Sequence, residues 1–278
     1  MASHRNVLLA SLICCALPLG HAAAHAALDS AWLRLGVLDT RSSLDLRWDA
    51  SLDLPGTGSD IDSRDDLDLR RQQRRPAFEL GVLLAERHQL KVYGRSVESR
   101  GQRDLQRDLS IDGQLYPLGA RIDTRFELDQ LGLAWTAFAW QSEKAAFGVG
   151  IGALRYQLDL NLEAEIETVV EGVPLRTRLR SGLAEQQWLP LLRAEYDQRL
   201  SERWRIGSEV AWVRKPSGRV RGNALEAAVE LEYLPSARWG IALRYEVDHV
   251  DLDYRRSALA ADLKLQNSGP QLLARWRF

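Results

Sequence analysis

Past its first 26 residues the chain has no cysteine and no methionine, since Cys14 and Cys15 are adjacent and Met1 stands alone. A disulfide framework, a thiolate metal site and a dithiol redox pair are therefore excluded downstream. Histidine is almost as scarce there: only His88 and His249 remain to act as a general base or metal ligand. No apolar run after Ala26 is long enough for a transmembrane helix. A formal net charge of -1 removes the global electrostatic case for nucleic acid.

What is present begins with a short positive region ending at Arg5, an apolar stretch from Val7 to Gly20, and Ala24-His25-Ala26. This order predicts a Sec-type signal peptide over residues 1–26, because the apolar core is too short to span a bilayer and an A-x-A pattern follows it. Ser11-Leu12-Ile13 before Cys14 fits a lipidation site poorly. Residues 27–278 are then one domain.

Charged residues make up 27% of the chain and fall inside its apolar stretches at period two. Trp239, Ile241, Leu243, Tyr245 and Val247 alternate with Gly240, Ala242, Arg244 and Glu246. Leu225, Ala227, Val229 and Leu231 alternate with Glu226, Ala228, Glu230 and Glu232, and Trp204, Ile206, Val210 and Trp212 with Arg205, Gly207 and Glu209. Such alternation marks strands whose two faces meet different media. The same period recurs at 78–84, 90–95, 131–137, 147–153 and 188–196, with short polar turns such as 200–203 and 235–238 between strands. The fold class predicted is all-β: a transmembrane antiparallel up-and-down β-barrel of about 10 strands, with 8 or 12 open, and long extracellular hairpins. In the opening strand from Trp32, Leu33, Leu35 and Val37 are out of phase with Leu44, Leu46 and Trp48, which predicts a bulge or turn near Asp39 to Arg41.

The chain ends on Leu272, Ala274, Trp276 and Phe278, alternating with Gln271, Arg275 and Arg277. This reads as the closing strand, its aromatics in an interfacial girdle and its arginines in the lumen, paired with the strand from Trp32. The same parity places Glu79, Glu195, Glu209, Glu226, Glu230, Glu232 and Glu246 inside, against Lys91, Arg95, Arg193, Arg205, Arg244, Arg275 and Arg277. Acids and bases balance, and an unpaired buried charge is costly, so the set predicts a lumen filled by a neutralising network rather than an open path.

Long connections are expected at 51–75, 99–125 and 161–183. In the last, a turn at Glu171-Gly172 puts Glu167 opposite Arg176, Glu165 opposite Arg178 and Glu163 opposite Arg180. The same register carries Ile151 onto Leu192, Val149 onto Ala194 and Phe147 onto Tyr196. Each exposed pair contributes only about 0.2–1 kcal/mol, so the ladder chiefly sets register. Leu109 to Leu115, followed by Tyr116-Pro117-Leu118-Gly119, predicts a second projecting hairpin with a type I or II turn at Pro117 and Gly119.

The leader, the first loop Pro55-Gly56-Thr57-Gly58-Ser59-Asp60-Ile61-Asp62, the Tyr116-Pro117-Leu118-Gly119 segment and the ending from Gly269 to Phe278 together resemble uncharacterised proteobacterial outer-membrane β-barrel proteins of the small OmpA-like barrel class. The resemblance implies a Gram-negative outer-membrane location and recognition of the closing strand by the barrel assembly machinery. It brings no activity and no functional residue.

The function expected is that of an integral outer-membrane protein with a structural or surface-interaction role, non-enzymatic and without cofactor or metal. Its expected partners are membrane lipid and lipopolysaccharide, whose phosphates Arg70, Arg71, Arg74 and Arg75 suit. Asp60, Asp62, Asp65, Asp66 and Asp68 do not make an EF-hand, because Arg64 takes a ligand position. Two alternatives are a small porin and a rim hydrolase. The second rests on His249 beside Asp248, Asp251 and Asp253; Ser257 follows without a surrounding motif.

Overall fold

A computed structural model describes residues 31–49, 59–62, 66–67, 72–111, 114–170, 173–215, 217–218, 220–256 and 259–278. The leader at 1–26, Asp65, Asp68, Arg70 and Arg71, the tip at Glu171 and Gly172, and Ser257 lie outside these residues. The strands are β1 (Ala31–Asp49), β2 (Ser59–Asp62), β3 (Gln72–Leu84), β4 (His88–Asp104), β5 (Leu109–Ile111), β6 (Gln114–Tyr116), β7 (Arg121–Gln141), β8 (Ala145–Val170), β9 (Val173–Arg199), β10 (Trp204–Lys215), β11 (Val220–Tyr233), β12 (Trp239–Arg256) and β13 (Leu259–Arg277). All but the short β2, β5 and β6 form one antiparallel ring of ten strands, closed where β13 pairs with β1. The predicted fold class is therefore the observed one, and no described residue is helical.

Around the lower half of the wall, closure satisfies the backbone polar groups without an edge. Short turns at 85–87, 142–144, 200–203 and 234–238 define one end, here the lower rim, where Ala31 and Phe278 also meet: the Phe278 N–H donates to the Ala31 carbonyl at 3.0 Å. The lower half of the wall presents an apolar belt outward, with Leu243 57% and Leu272 59% exposed. Aromatics edge this belt. Trp239 and Trp276 meet edge to face at 3.9 Å, with Phe278 next to Trp276, and Trp188 and Trp212 lie at the upper margin.

Above the belt the two faces exchange chemistry while the strands run on. In β7, Leu131, Leu133 and Trp135 face outward below, and Arg121, Asp123, Arg125 and Asp129 take the same face above. Inward, Gln130 and Thr136 give way upward to Leu128, Phe126 and Ile122. This exchange corrects the expected bulge near Asp39 to Arg41. β1 holds a single register against β13 from Trp32↔Arg277 to Asp49↔Ala260, so Leu44 and Leu46 change face relative to the belt because the interior there is apolar. The recorded ladder irregularity falls between Phe138 and Trp140 instead.

The upper interior is a packed apolar core that includes Leu44, Leu46, Val97, Phe126, Leu154, Leu160, Leu162, Val250, Leu263 and Leu265. Much of the segments expected as long loops is strand continuation around it. The expected second projection is also corrected. β5 and β6 fold over the mouth, with Leu105, Leu109 and Tyr116 at 0–2% exposure inside the core. Arg107 holds Asp66 of the first loop through two hydrogen bonds of 2.7 and 3.1 Å. The hairpin reverses between Ile111 and Gln114, while Pro117 to Ala120 forms a separate turn, with the Ala120 N–H on the Pro117 carbonyl and Gly119 at φ 84°. That φ is the left-handed value a type II turn requires at its third residue.

Candidate functional site: the charged lower lumen

Below the apolar core charged residues crowd the inward face of several strands, interleaved with small residues such as Ala228 and Ala242, so the charged side chains must satisfy one another. Glu209 of β10 lies at the centre. It takes Lys91 at 3.3 Å and Arg244 at 3.5 Å, and it pairs with Arg193. Glu195 shares Lys91 at 3.1 Å and Arg193 at 3.4 Å. Arg244 continues to Glu79 at 3.0 Å and to Glu246 at 3.4 Å. Glu79 shares Arg34, which bonds Glu230 at 2.8 Å. Upward, Arg95 gathers Glu226 at 2.7 Å, Asp248 at 3.2 Å and Glu246, and the Tyr156 hydroxyl donates to Glu226 at 3.4 Å. One connected network therefore crosses the lumen from β1 to β12.

Beside it Arg275 pairs with Glu232 at 2.9 Å. Arg34, Arg275 and Lys91 surround the Trp32 ring at 4.6, 5.0 and 5.7 Å, so an aromatic face adds cation–π contact to cations already paired with carboxylates. The Trp32 ring occupies the space a side chain at Gly81 would take, with 2.4 Å left for a Cβ. Trp32, Arg34, Asp197, Arg205, Glu230 and Arg275 are among the residues lining a small polar cavity of about 50 Å³ that opens to solvent. The apolar core and its cap lie above the network, so the described residues combine a polar lower tier with a mainly apolar upper tier.

The structure brings together Glu79, Lys91, Arg95, Arg193, Glu195, Glu209, Glu226, Glu230, Arg244 and Glu246, with Glu232, Arg275 and Arg205 adjoining. Arg277 is a correction. It stands at the rim opposite Trp32, and its guanidinium donates to the Ser236 carbonyl at 3.2 Å in the β11–β12 turn rather than joining the network. The sequence reading missed Arg34, Trp32, Asp197, Asp248 and Tyr156. Arg34 was findable: it stands between Leu33 and Leu35 and falls opposite Glu79 when β1 pairs with β3. Asp248 continues the parity of Arg244 and Glu246.

That parity divides the proposed hydrolase cluster. Asp248 faces the lumen on Arg95, whereas His249 faces outward on Asp251 at 3.1 Å, since neighbouring strand residues point to opposite faces. His88 stacks on Trp135 at 5.4 Å. On the upper hairpin β8 and β9 pair with Glu163↔Arg180, Glu165↔Arg178 and Glu167↔Arg176 opposed. Arg180 contacts Glu163 at 3.1 Å, and Arg176 reaches diagonally to Glu165 at 3.8 Å. Leu272, Ala274, Trp276 and Phe278 all lie on the outer face.

No protein-family model matches the sequence, and no curated protein matches it. Among solved structures, the chain is similar to the outer membrane protease OmpT of Escherichia coli, with TM-score 0.57 and 10% identity over 89% of this chain and 97% of that one. A Pseudomonas aeruginosa FadL homologue aligns at TM-score 0.39 and 10% identity over 90% and 91%. The translocator domain of the autotransporter NalP from Neisseria meningitidis aligns at TM-score 0.33 and 10% identity over 88% of both chains. At these identities the likeness is one of fold.

Proposed function

We propose that this chain is an integral protein of a Gram-negative outer membrane with a structural or surface-interaction role, non-enzymatic and without a cofactor. On this reading it is directed by the leader at 1–26, and the barrel assembly machinery receives the strand ending in Leu272, Ala274, Trp276 and Phe278. The observation that carries the reading is the two-tier interior beneath an outward apolar belt. The belt suits lipid, and the ion network and apolar core leave the barrel to act as a rigid base for its upper hairpins. The short-turn rim then faces the periplasm and the upper rim the exterior, where exposed arginines such as Arg125 suit lipopolysaccharide phosphates.

Expression followed by cell fractionation and unheated gel electrophoresis tests this. The protein is expected with outer membranes and with a mobility shift on boiling; recovery in the soluble periplasm without such a shift overturns it. The small-solute channel reading predicts steady conductance in planar bilayers, where the filled lumen predicts none. Turnover of a peptide or lipid A panel that His249→Ala abolishes would replace the non-enzymatic reading.

A further inference from the structure

β9 is paired along its entire length with β8, in one register from Ala145↔Gln198 to Val170↔Val173. With β10 it pairs only from Arg199 to Leu191, because β10 ends at Lys215 and the chain turns back into β11. Among the described residues no strand lies against the second edge of β9 above Leu191.

Which backbone groups this edge offers follows from the lower rim. The Arg199 N–H points to β8, on the Lys144 carbonyl at 2.6 Å, while the Leu200 N–H points the other way, to the Trp204 carbonyl at 2.8 Å. The β8–β9 register never slips, so even-numbered residues turn their N–H and C=O toward the β10 side. Pro190, even-numbered and without an N–H, stands where the β10 ladder stops, and Pro174 stands at the far end. Between them Arg178, Arg180, Gly182, Ala184 and Gln186 present backbone groups outside any ladder among the described residues.

Strand edges in water are normally blunted by shortness, bulges or inward charges. This one is long, and Arg176, Arg178 and Arg180 all point outward. Arg176 and Arg180 have side chains 69% and 72% exposed, although each meets a glutamate of β8 on one flank. The β8 strand shows what matches that row: acids at alternate positions, Glu163, Glu165 and Glu167, laid antiparallel to it. Gly182 and Ala184 below the arginines leave the surface low. We propose that the upper edge of β9, from Arg178 to Gln186, docks an extended acidic polypeptide as an added antiparallel strand. Backbone hydrogen bonds would hold it, and the arginine row would set its register. The proposal deepens the surface-interaction reading and rests on it.

The test uses the full chain folded in detergent, confirmed by its heat-dependent mobility, and a labelled synthetic peptide with the sequence of residues 161–169, Asn-Leu-Glu-Ala-Glu-Ile-Glu-Thr-Val. Saturable binding is expected, with protection from hydrogen exchange at Arg178, Arg180, Gly182 and Ala184. Replacing the peptide's glutamates by lysine, or making Arg178→Glu in the protein, should weaken binding about tenfold or more. Ala184→Pro removes an edge N–H that the β8 ladder does not use, and should abolish binding while the heat shift persists. Binding that survives both protein variants, protection mapping elsewhere, or self-association through this edge in place of peptide capture overturns the proposal. Because folding is verified separately, such a failure leaves the outer-membrane reading standing.

Discussion

At the residue scale the lumen is a set of shared charges. Glu209 serves three cations, so Glu209→Gln leaves Lys91, Arg193 and Arg244 under-compensated in a closed space. Removing one partner from a buried ion cluster costs about 3–5 kcal/mol, whereas Arg277→Ala, out at the rim, should stay within about 0.5 kcal/mol. Denaturant unfolding in lipid vesicles, followed by tryptophan fluorescence, reads both; equal midpoints for Glu209→Gln and the unaltered chain would refute the shared-charge picture. Outside the belt, Asp262 faces Asp253 across β12 and β13. Partial burial, then the hydrogen bond and repulsion from Asp253, hold its carboxyl above the usual range. A raised acid contributes stability at low pH that is lost as pH rises through the folded value, so Asp262→Asn should tighten the upper β12–β13 hairpin at neutral pH and do nothing near pH about 3. Limited proteolysis across that range would show it, and a benefit confined to acid would reverse the sign. Most of this chemistry was legible: parity alone picks out Glu79, Lys91 and Glu209. Asp197 escaped because it lies close to the turn at 200–203, one residue past the alternating stretch 188–196.

At the element scale legibility depends on whether the determinant is local. The β8–β9 register was readable because glutamates and arginines at matching intervals admit one ungapped alignment, and the lower apolar pairs agree with it. The phase of β1 is not legible locally, because parity carries opposite meanings in the lower and upper halves of the strand. Leu44 and Leu46 obey the same period as Arg34, yet at their height the solvent lies outside. The inward fold of β5 and β6 had no local sign, since the burial of Leu109 depends on β5 meeting the distant β1 and β2. If interior apolar packing rather than the ion ladder holds the tall hairpin, Leu160→Ala should cost about 2–5 kcal/mol and Glu163→Ala less than about 1 kcal/mol. Hydrogen exchange over residues 155–187 should accelerate in the first variant and stay near the parent in the second. The opposite order would assign the hairpin's rigidity to its surface charges.

At the scale of the whole molecule the question is which tier seals the barrel. The fold itself is compatible with a path, because a ring of strands can hold water as readily as side chains. A cap that was the sole seal would make this a gated channel; two tiers beneath it would make it a solid pillar. The geometry of the cap's stem permits a clean separation. The Leu105 N–H already donates to the Ala120 carbonyl at 2.9 Å, so the segment 106–119 can be replaced by an Asn-Gly turn without moving β4 or β7. What remains is the core of Ile122, Leu154, Leu160, Leu162, Val250 and Leu265 above the network centred on Glu209. An ion meeting that stack would shed its water against leucine and then enter a network whose sites are already occupied. The shortened protein should therefore keep its heat-dependent mobility and remain non-conducting in planar bilayers. Steady conductance appearing on removal of 106–119 would show that the leucine tier is not tight, and would turn the charged lumen from a filling into a selectivity path.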